Sequence, residues 1–511
     1  MPGIISGERR LEHRELKERS ARAAAGLRSL GVGVGDAVAL LMRNDFAFLE
    51  ASSAAGLLGA YPVAVNWHST AAEAEYVLAD CGAQVLVIHS DLLPAVRSAV
   101  PAGVVTLVVE TPPEILHAYG LGLTATPERG GELQWNAWLA EHQPLTELPV
   151  EAPGAMIYTS GTSGRPKGVR RSAPNEAQAE GAAEVIATAY GLRQREHPSV
   201  ALVTAPLYHS APIMHATRAL QIGATVVIQS RFDAEEALEL IERWGVTHAY
   251  FAPIMFNRLL QLPDATRRRY DLSSLEFVVH AAARCPPEIK RAMIEWWGPI
   301  IHEFYGSTET RAVTTCTSQE WLERPGAVGR ALPSAVLRIV GAGGQTLPAG
   351  ETGEIICAHP GLADFTYHGD DAKRRSADRD GLFATGDIGY LDKAGYLFIC
   401  DRASDMIISG GVNIYPAEIE AELLCAPGVL DCAVFGIPDD EYGEAVMAVV
   451  QSTEGQALDP KILHAHLRER LASYKTPRKI EQIDLLPREE SGKIFKRKLR
   501  DSFWRDAQRR I

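Results

Sequence analysis

The sequence predicts an α/β protein with a large, layered N-terminal domain of mixed sheets and flanking helices, followed by a small, mobile α+β domain. Up to about Cys400, short apolar runs alternate with segments of helix length, which is typical of sheets that carry helices on their faces. Beyond that point the turn-rich sequence gives way to a compact α+β pattern. The length of 511 residues allows roughly two to four domains.

The predicted elements begin with a helix, because apolar residues from Leu16 to Leu30 recur at helical spacing before Gly31. Buried strands are then predicted at VAVN near residue 63, AQVLVI from Ala83, GAMIY from Gly154, VALVTA from Val200, ATVVI from Ala224, VTHAYF from Val246 and EFVVHA from Glu276. A further helix is predicted between Asp233, which can cap it, and Gly245, which can end it.

This change of sequence pattern near Cys400 predicts a large domain at residues 1–401, a hinge at 402–404 and a mobile lid domain at 405–511. In the lid, Pro416 begins a helix over AEIEAELL, and LHAHLRERL predicts a second helix. The runs VLDCAVFGI and AVMAVV predict strands.

The composition excludes several classes of protein. A net charge of −13 argues against a partner that is a nucleic acid. Seven cysteines without a C-x-x-C pair argue against a zinc module or a disulfide framework and favour a reducing compartment. The N-terminus lacks the pattern of a secretory signal, and the most apolar stretch, residues 54–65, is broken by glycines and a proline. We therefore expect a cytoplasmic protein.

The strongest motif is YTSGTSGRPKG, from Tyr158 to Gly168. A strand leads into a loop of glycines, hydroxyl side chains and one lysine, which are the groups that a phosphate needs. The loop differs from a Walker motif because Gly168, and no serine or threonine, follows the lysine. The predicted phosphate-binding residues are Thr159, Ser160, Gly161, Thr162, Ser163, Gly164 and Lys167.

Three weaker motifs follow in order. EFYGSTET, from Glu303 to Thr310, presents an aromatic ring, hydroxyls and a carboxylate that could stack a base, touch phosphate and hold Mg²⁺. ATGD ends at Asp387, which could accept both hydroxyls of a ribose, and DR and SGG follow it. Near the C-terminus, SGKI places Lys493 on a glycine turn.

In this order, YTSGTSGRPKG, YGSTE, TGD, DR…ISGGVNIYP and SGKI resemble the motifs of the adenylate-forming superfamily. That superfamily contains acyl- and aryl-CoA ligases, the adenylation domains of peptide synthetases and firefly luciferase. The resemblance runs from about Leu11 to Leu499. The segments HAAARCPPEIK and IPDDEYGEAV look most like fatty-acyl and aryl-acid CoA ligases.

The resemblance implies an ATP-dependent acid–CoA ligase with Mg²⁺ as cofactor and coenzyme A as co-substrate. A carboxylic acid, medium- or long-chain fatty by this resemblance, would attack ATP to give an acyl-adenylate and pyrophosphate. Coenzyme A would then displace AMP. The catalytic residues would be Lys493, Thr308, Glu309, which also binds the metal, and His209, which would gate the acyl site. The remaining binding residues would be Ala282, Tyr305, Gly306, Asp387, Arg402, Gly410, Gly411 and Lys475.

Alternatives stay open at this point. They are an aryl-acid CoA ligase, an enzyme that loads a carrier protein, and an inactive binder of acyl-adenylate or acyl-CoA.

The sequence departs from the family's pattern at two positions. Ser404 stands at the hinge where relatives have Asp or Lys, and Arg284 stands where they have Pro. The N-terminus looks short for the family. Nine basic groups between Arg488 and Arg510 could give peripheral membrane contact, and a homodimer is possible.

Overall fold

The structure is a computed structural model that describes residues 2–122, 132–146, 152–159, 165–452, 456–488 and 494–504. Within these ranges the strands form three sheets, two in the large N-terminal region and one in the C-terminal region. The mixed α/β class with a small α+β region at the C-terminal end agrees with the fold class that the sequence predicts.

The first sheet has a parallel part and an antiparallel part. The parallel part and the edge pair that extends it contain Arg9–Glu12, Pro2–Ser6, Thr225–Ile228, Val200–Val203, His248–Phe251, Phe277–His280 and Ile301–Ser307, in spatial order. The antiparallel part continues with Arg311–Cys316, Ala327–Ala331, Tyr396–Arg402, Leu382–Leu391 with Asp378–Arg379 beside it, Gly353–Ala358 and Val336–Val340. The connecting and flanking helices are Glu176–Tyr190, Ser210–Gln221, Ala234–Trp244, Pro253–Leu260, Asp264–Arg267, Pro287–Trp297 and Ser318–Glu323.

The second sheet lies against the first through a shared core. Its strands are, in spatial order, Phe365–Tyr367, Lys167–Arg171, Met156–Thr159, Tyr61–Ala64, Ala37–Leu41, Ala83–His89, Val105–Val109 and Leu133–Gln134. Its helices are His13–Ser29, Phe46–Leu57, Ala71–Asp80, Leu93–Val96, Pro113–Ala118, Trp135–Ala140 and Asp371–Ser376, with a 3₁₀ turn at Arg97–Ala99. Eight of the twelve residues of Phe46–Leu57 are buried, so this apolar helix packs inside the core.

The C-terminal sheet has its own core around Ile419, Leu423 and Val434. Its strands are Val412–Ile414, Ile407–Ser409, Gly443–Ser452, Val429–Asp439 and Lys479–Ile483. Its helices are Pro416–Leu424, Pro460–Arg468 and Lys496–Trp504, with a 3₁₀ turn at Ser473–Lys475. Residues 403–406 separate the last strand of the large sheet in the chain from the first strand of this one.

The predicted strands and helices have counterparts in the structure, with bounds that shift by a few residues. Asp233 Oδ1 accepts a hydrogen bond of 2.9 Å from the backbone N–H of Glu236, and Gly245 ends that helix with a φ of +58°. The strands Pro2–Ser6 and Arg9–Glu12 were not predicted, because each is stabilised by its sheet neighbours more than by an apolar pattern of its own. No described helix is long and apolar enough to cross a bilayer.

Candidate active site

A bulged turn between the strands Ile301–Ser307 and Arg311–Cys316 forms the centre of the site. Their antiparallel register shifts between Tyr305 and Gly306. A Cβ at Gly306 would lie 1.8 Å from the carbonyl oxygen of Arg311, so this close approach requires glycine. Ser307 N–H donates to Thr310 Oγ1 at 2.9 Å, and Thr310 N–H donates to Ser307 Oγ at 3.2 Å. These bonds fix the loop that presents the two predicted catalytic residues between them.

Three neighbouring elements hold Thr308 and Glu309. Arg171, at the end of the strand Lys167–Arg171, donates to the carbonyl oxygens of Thr308 at 2.8 Å and of Glu309 at 2.5 Å. Ser210, at the start of a helix, places its hydroxyl 3.1 Å from that of Thr308. Tyr367 donates to Glu309 Oε1 at 3.2 Å. The turn is therefore anchored to both sheets of the large region.

The motifs do not indicate Arg171, Ser210 or Tyr367 as site residues. Arg171 has only a weak signal, since it lies three residues beyond the motif that ends at Gly168 and no strand was predicted there. Tyr367 has none, because its contact with Glu309 depends on the pairing of Phe365–Tyr367 with Lys167–Arg171.

Two of the predicted motifs meet at Asp387. Tyr305 donates its hydroxyl hydrogen to Asp387 Oδ2 at 2.7 Å, and Arg402 Nε lies 3.5 Å from Oδ1. Asp387 and Arg402 face each other across adjacent strands. Burial raises the pKa of Asp387, whereas the charge of Arg402 and the hydrogen bond from Tyr305 act in the opposite direction. The result is a carboxylate held beside an aromatic ring, as a nucleoside site requires.

The two ends of the glycine-rich motif lie on paired strands. Thr159 ends one strand and Lys167 begins the next, and the two residues pair directly in the antiparallel register. Lys167 Nζ lies 3.4 Å from Asp370 Oδ2. The predicted phosphate-binding residues Ser160, Gly161, Thr162, Ser163 and Gly164 lie outside the described residues, as does the predicted catalytic Lys493.

The other predicted residues are spread around this centre. His209 is half-buried with its ring 4.3 Å from that of Tyr208, and it precedes the helix of Ser210. Ala282 is exposed and has a φ of +74°. In the C-terminal region, Gly410 and Gly411 both have positive φ, and Lys475 Nζ lies 2.7 Å from each carboxylate oxygen of Glu418. Lys475 therefore already has an acidic partner.

Glu309 fits a ligand of Mg²⁺. Within the described ranges, no three side chains of His, Cys, Asp or Glu cluster closely enough to hold a metal by themselves. Mg²⁺ that arrives with a nucleotide needs only one or two carboxylates, because phosphate oxygens and water complete its octahedron. Glu309 supplies such a carboxylate, and the Tyr367 hydroxyl orients it.

Comparisons with known proteins agree with this geometry. Residues 2–365 match the model of the AMP-binding enzyme family, and residues 418–493 match that of the AMP-binding enzyme C-terminal domain. The chain is 33% identical to the fatty acid–[acyl-carrier-protein] ligase ScoC of Streptomyces coeruleorubidus, covering 100% of this chain and 95% of the relative. It is 36% identical to a feruloyl-CoA synthase of Amycolatopsis sp., and the match covers 98% of this chain and 95% of the relative. The structure of this chain superposes on the crystal structure of the anthranilate CoA ligase AuaEII with anthranoyl-AMP, with a TM-score of 0.84 and 27% sequence identity. The match covers 98% of this chain and 94% of the other.

Removing the Tyr305 hydroxyl tests the electrostatics of the site. In Tyr305→Phe, Asp387 loses a donor that favours its charged form, so its pKa should rise above the value in the unmodified chain. The pKa can be followed by carbon NMR of labelled aspartate carboxyl groups. Tyr367→Phe is the matched control, because that hydroxyl contacts Glu309 instead. An unchanged or lower pKa for Asp387 in Tyr305→Phe would contradict this description.

Proposed function

The chain belongs to the AMP-binding enzyme family, within the adenylate-forming superfamily, and we propose that it is an ATP-dependent acid–CoA ligase. The oxygen of an acid carboxylate attacks the α-phosphorus of ATP, and pyrophosphate leaves as the acyl-adenylate forms. The sulfur of coenzyme A then attacks the acyl carbon, the thiol loses its proton and AMP leaves. The observation that carries this proposal is the bulged turn, which presents Thr308 and Glu309 directly after the strand on which Tyr305 donates to Asp387.

The proposed roles follow from the chemistry of each side chain. Asp387 accepts the ribose hydroxyls, and Tyr305 flanks the adenine. Thr308 donates to phosphate, and Glu309 holds Mg²⁺, which would neutralise charge on the phosphates. Lys167 adds positive charge on the strand pair that flanks the proposed phosphate-binding residues. Fixed donors and cations of this kind stabilise the charge that gathers at phosphorus in the transition state.

Lys493 is the proposed cation of the first step. It would bridge the acid carboxylate and the α-phosphate, and it would leave the site when the C-terminal domain rotates for thioester formation. We place the large domain at residues 1–401, the hinge at 402–404 and the lid at 405–511. The position of residues 403–406 between the large and the small sheet supports this division. Gly410 and Gly411, with little bulk, would then border the path of the pantetheine arm.

A fatty acid is the proposed substrate, with an aryl acid as the alternative. The ScoC relative is named for a fatty acid and the Amycolatopsis relative for feruloyl-CoA, so both classes have support. The ScoC name also supports a carrier protein as a second candidate acceptor in place of coenzyme A. A homodimer, peripheral membrane contact and a cytoplasmic location stay predictions.

Pyrophosphate exchange measures the proposed first step directly. We expect acid-dependent exchange of labelled pyrophosphate into ATP with at least one member of a panel of fatty and aryl acids, and AMP release that coenzyme A stimulates. Exchange without that stimulation, but with acyl transfer to an acyl-carrier protein, would favour the second acceptor. No exchange with any acid would contradict the proposed function.

Lys493→Ala separates the two steps. Loss of a fixed cation from a closed site costs about 3 kcal/mol, or roughly a hundredfold in rate, so pyrophosphate exchange should fall at least that far. Thioester formation from preformed acyl-adenylate should be spared, because Lys493 has left the site by then. Lys498→Ala, which removes an exposed lysine, is the matched control. Equal loss of both steps in Lys493→Ala would refute the proposed division of labour.

A further inference from the structure

A small pocket lies beside the bulged turn. Its volume is about 210 Å³, and its walls come from the end of the strand Lys167–Arg171, the start of the strand Arg311–Cys316 and the segment 357–365. Pockets that take drug-sized ligands have volumes of roughly 300–1,000 Å³. This pocket is smaller, so it suits one small chemical group. Glu309 also lines it, which places the pocket next to the reacting centre.

Two arginines in the pocket wall form no salt bridge with any residue that the structure describes. The guanidinium of Arg171 donates to the carbonyl oxygens of Thr308 and Glu309. The guanidinium of Arg311 makes no hydrogen bond with any residue that the structure describes. Neither group lies within 4.0 Å of a carboxylate oxygen of those residues. Buried or half-buried guanidinium groups usually have such a partner.

The carboxylates of the same wall lie more than 4.0 Å from both guanidinium groups. Glu309 accepts from Tyr367, and Asp364 pairs with Arg374 at 3.0 Å.

The backbone conformation of Arg311 is an independent indication that its side chain has a binding role. Its φ is +62°, in the left-handed region that few residues other than glycine adopt. Glycine would take this conformation without strain. An arginine in this strained position is explained if its guanidinium is used, because strained residues persist where a site requires them.

We propose that the pocket is an oxyanion subsite in which Arg171 and Arg311 bind a small carboxylate or phosphate group. Guanidinium groups match the two oxygens of such anions with paired hydrogen bonds. The anion has two possible sources, a second carboxylate on the acid substrate or a phosphate group of ATP or pyrophosphate. This assignment of sources rests on the proposed ligase function, whereas anion binding itself requires no turnover.

Calorimetric titration of the full chain without nucleotide tests the subsite. Succinate and its diamide, succinamide, have the same four-carbon skeleton, but succinamide carries no carboxylate, and inorganic pyrophosphate represents the phosphate source. We expect succinate or pyrophosphate to bind at least about tenfold more tightly to the unmodified chain than to Arg311→Gly. Succinamide should not distinguish the two. Glycine keeps the positive φ, so Arg311→Gly should fold, and Arg268→Gln, at an exposed arginine, is the control.

The result that overturns the subsite is equal binding of succinate and of pyrophosphate to Arg311→Gly and to the unmodified chain, or no binding of either anion. Titration with α,β-methylene-ATP and Mg²⁺ then separates the sources. If the source is the acid, succinate binds to the nucleotide complex, and Arg311→Gly weakens succinate alone. If the source is phosphate, Arg311→Gly weakens the nucleotide analogue and pyrophosphate. A third outcome is that the chain binds an anion in a way that depends on Arg311 but does not bind α,β-methylene-ATP. That outcome would support the subsite and contradict the ligase function.

Discussion

The site depends on the contact between Gly306 and the carbonyl oxygen of Arg311. This contact leaves no room for a Cβ, and it creates the register shift that turns Thr308 and Glu309 out of the strand pair. An ordinary antiparallel hairpin would alternate these side chains to opposite faces of the sheet. The bulge instead allows one short segment to present the ring of Tyr305, the hydroxyl of Thr308 and the carboxylate of Glu309, which we propose bind the same ligand.

Charge supports this turn from two sides. Arg171 donates to two carbonyl oxygens of the turn. Glu303, on the strand that precedes the turn, forms a buried ion pair of 2.5 Å with Lys290, which is fully buried in the helix Pro287–Trp297. Breaking such a pair by removing one partner costs about 3–5 kcal/mol, so it fixes the strand that leads into the turn. Arg402 links the other end of the site to the boundary between the large sheet and the C-terminal region.

The sequence predicted the elements whose signals are local. The helix Ala234–Trp244 has its cap and its terminal glycine within one segment, and both are found as predicted. The meeting of Tyr305 with Asp387 followed only from the family's motif order, because 82 positions separate them. Arg171 and Tyr367 were missed for the same physical reason. Their contacts are set by how strands pair across the sheet, and residue spacing carries no information about that pairing.

The most direct test of this account is the rate of ATP–pyrophosphate exchange in Gly306→Ala, compared with Gly56→Ala. The added Cβ at Gly56 would meet only the Cβ of Ala152 at 3.6 Å, an ordinary contact, whereas at Gly306 it meets backbone. If the bulged turn positions the catalytic groups, exchange should fall at least about a hundredfold in Gly306→Ala and change little in Gly56→Ala. Near-normal exchange in a folded Gly306→Ala chain would contradict the account.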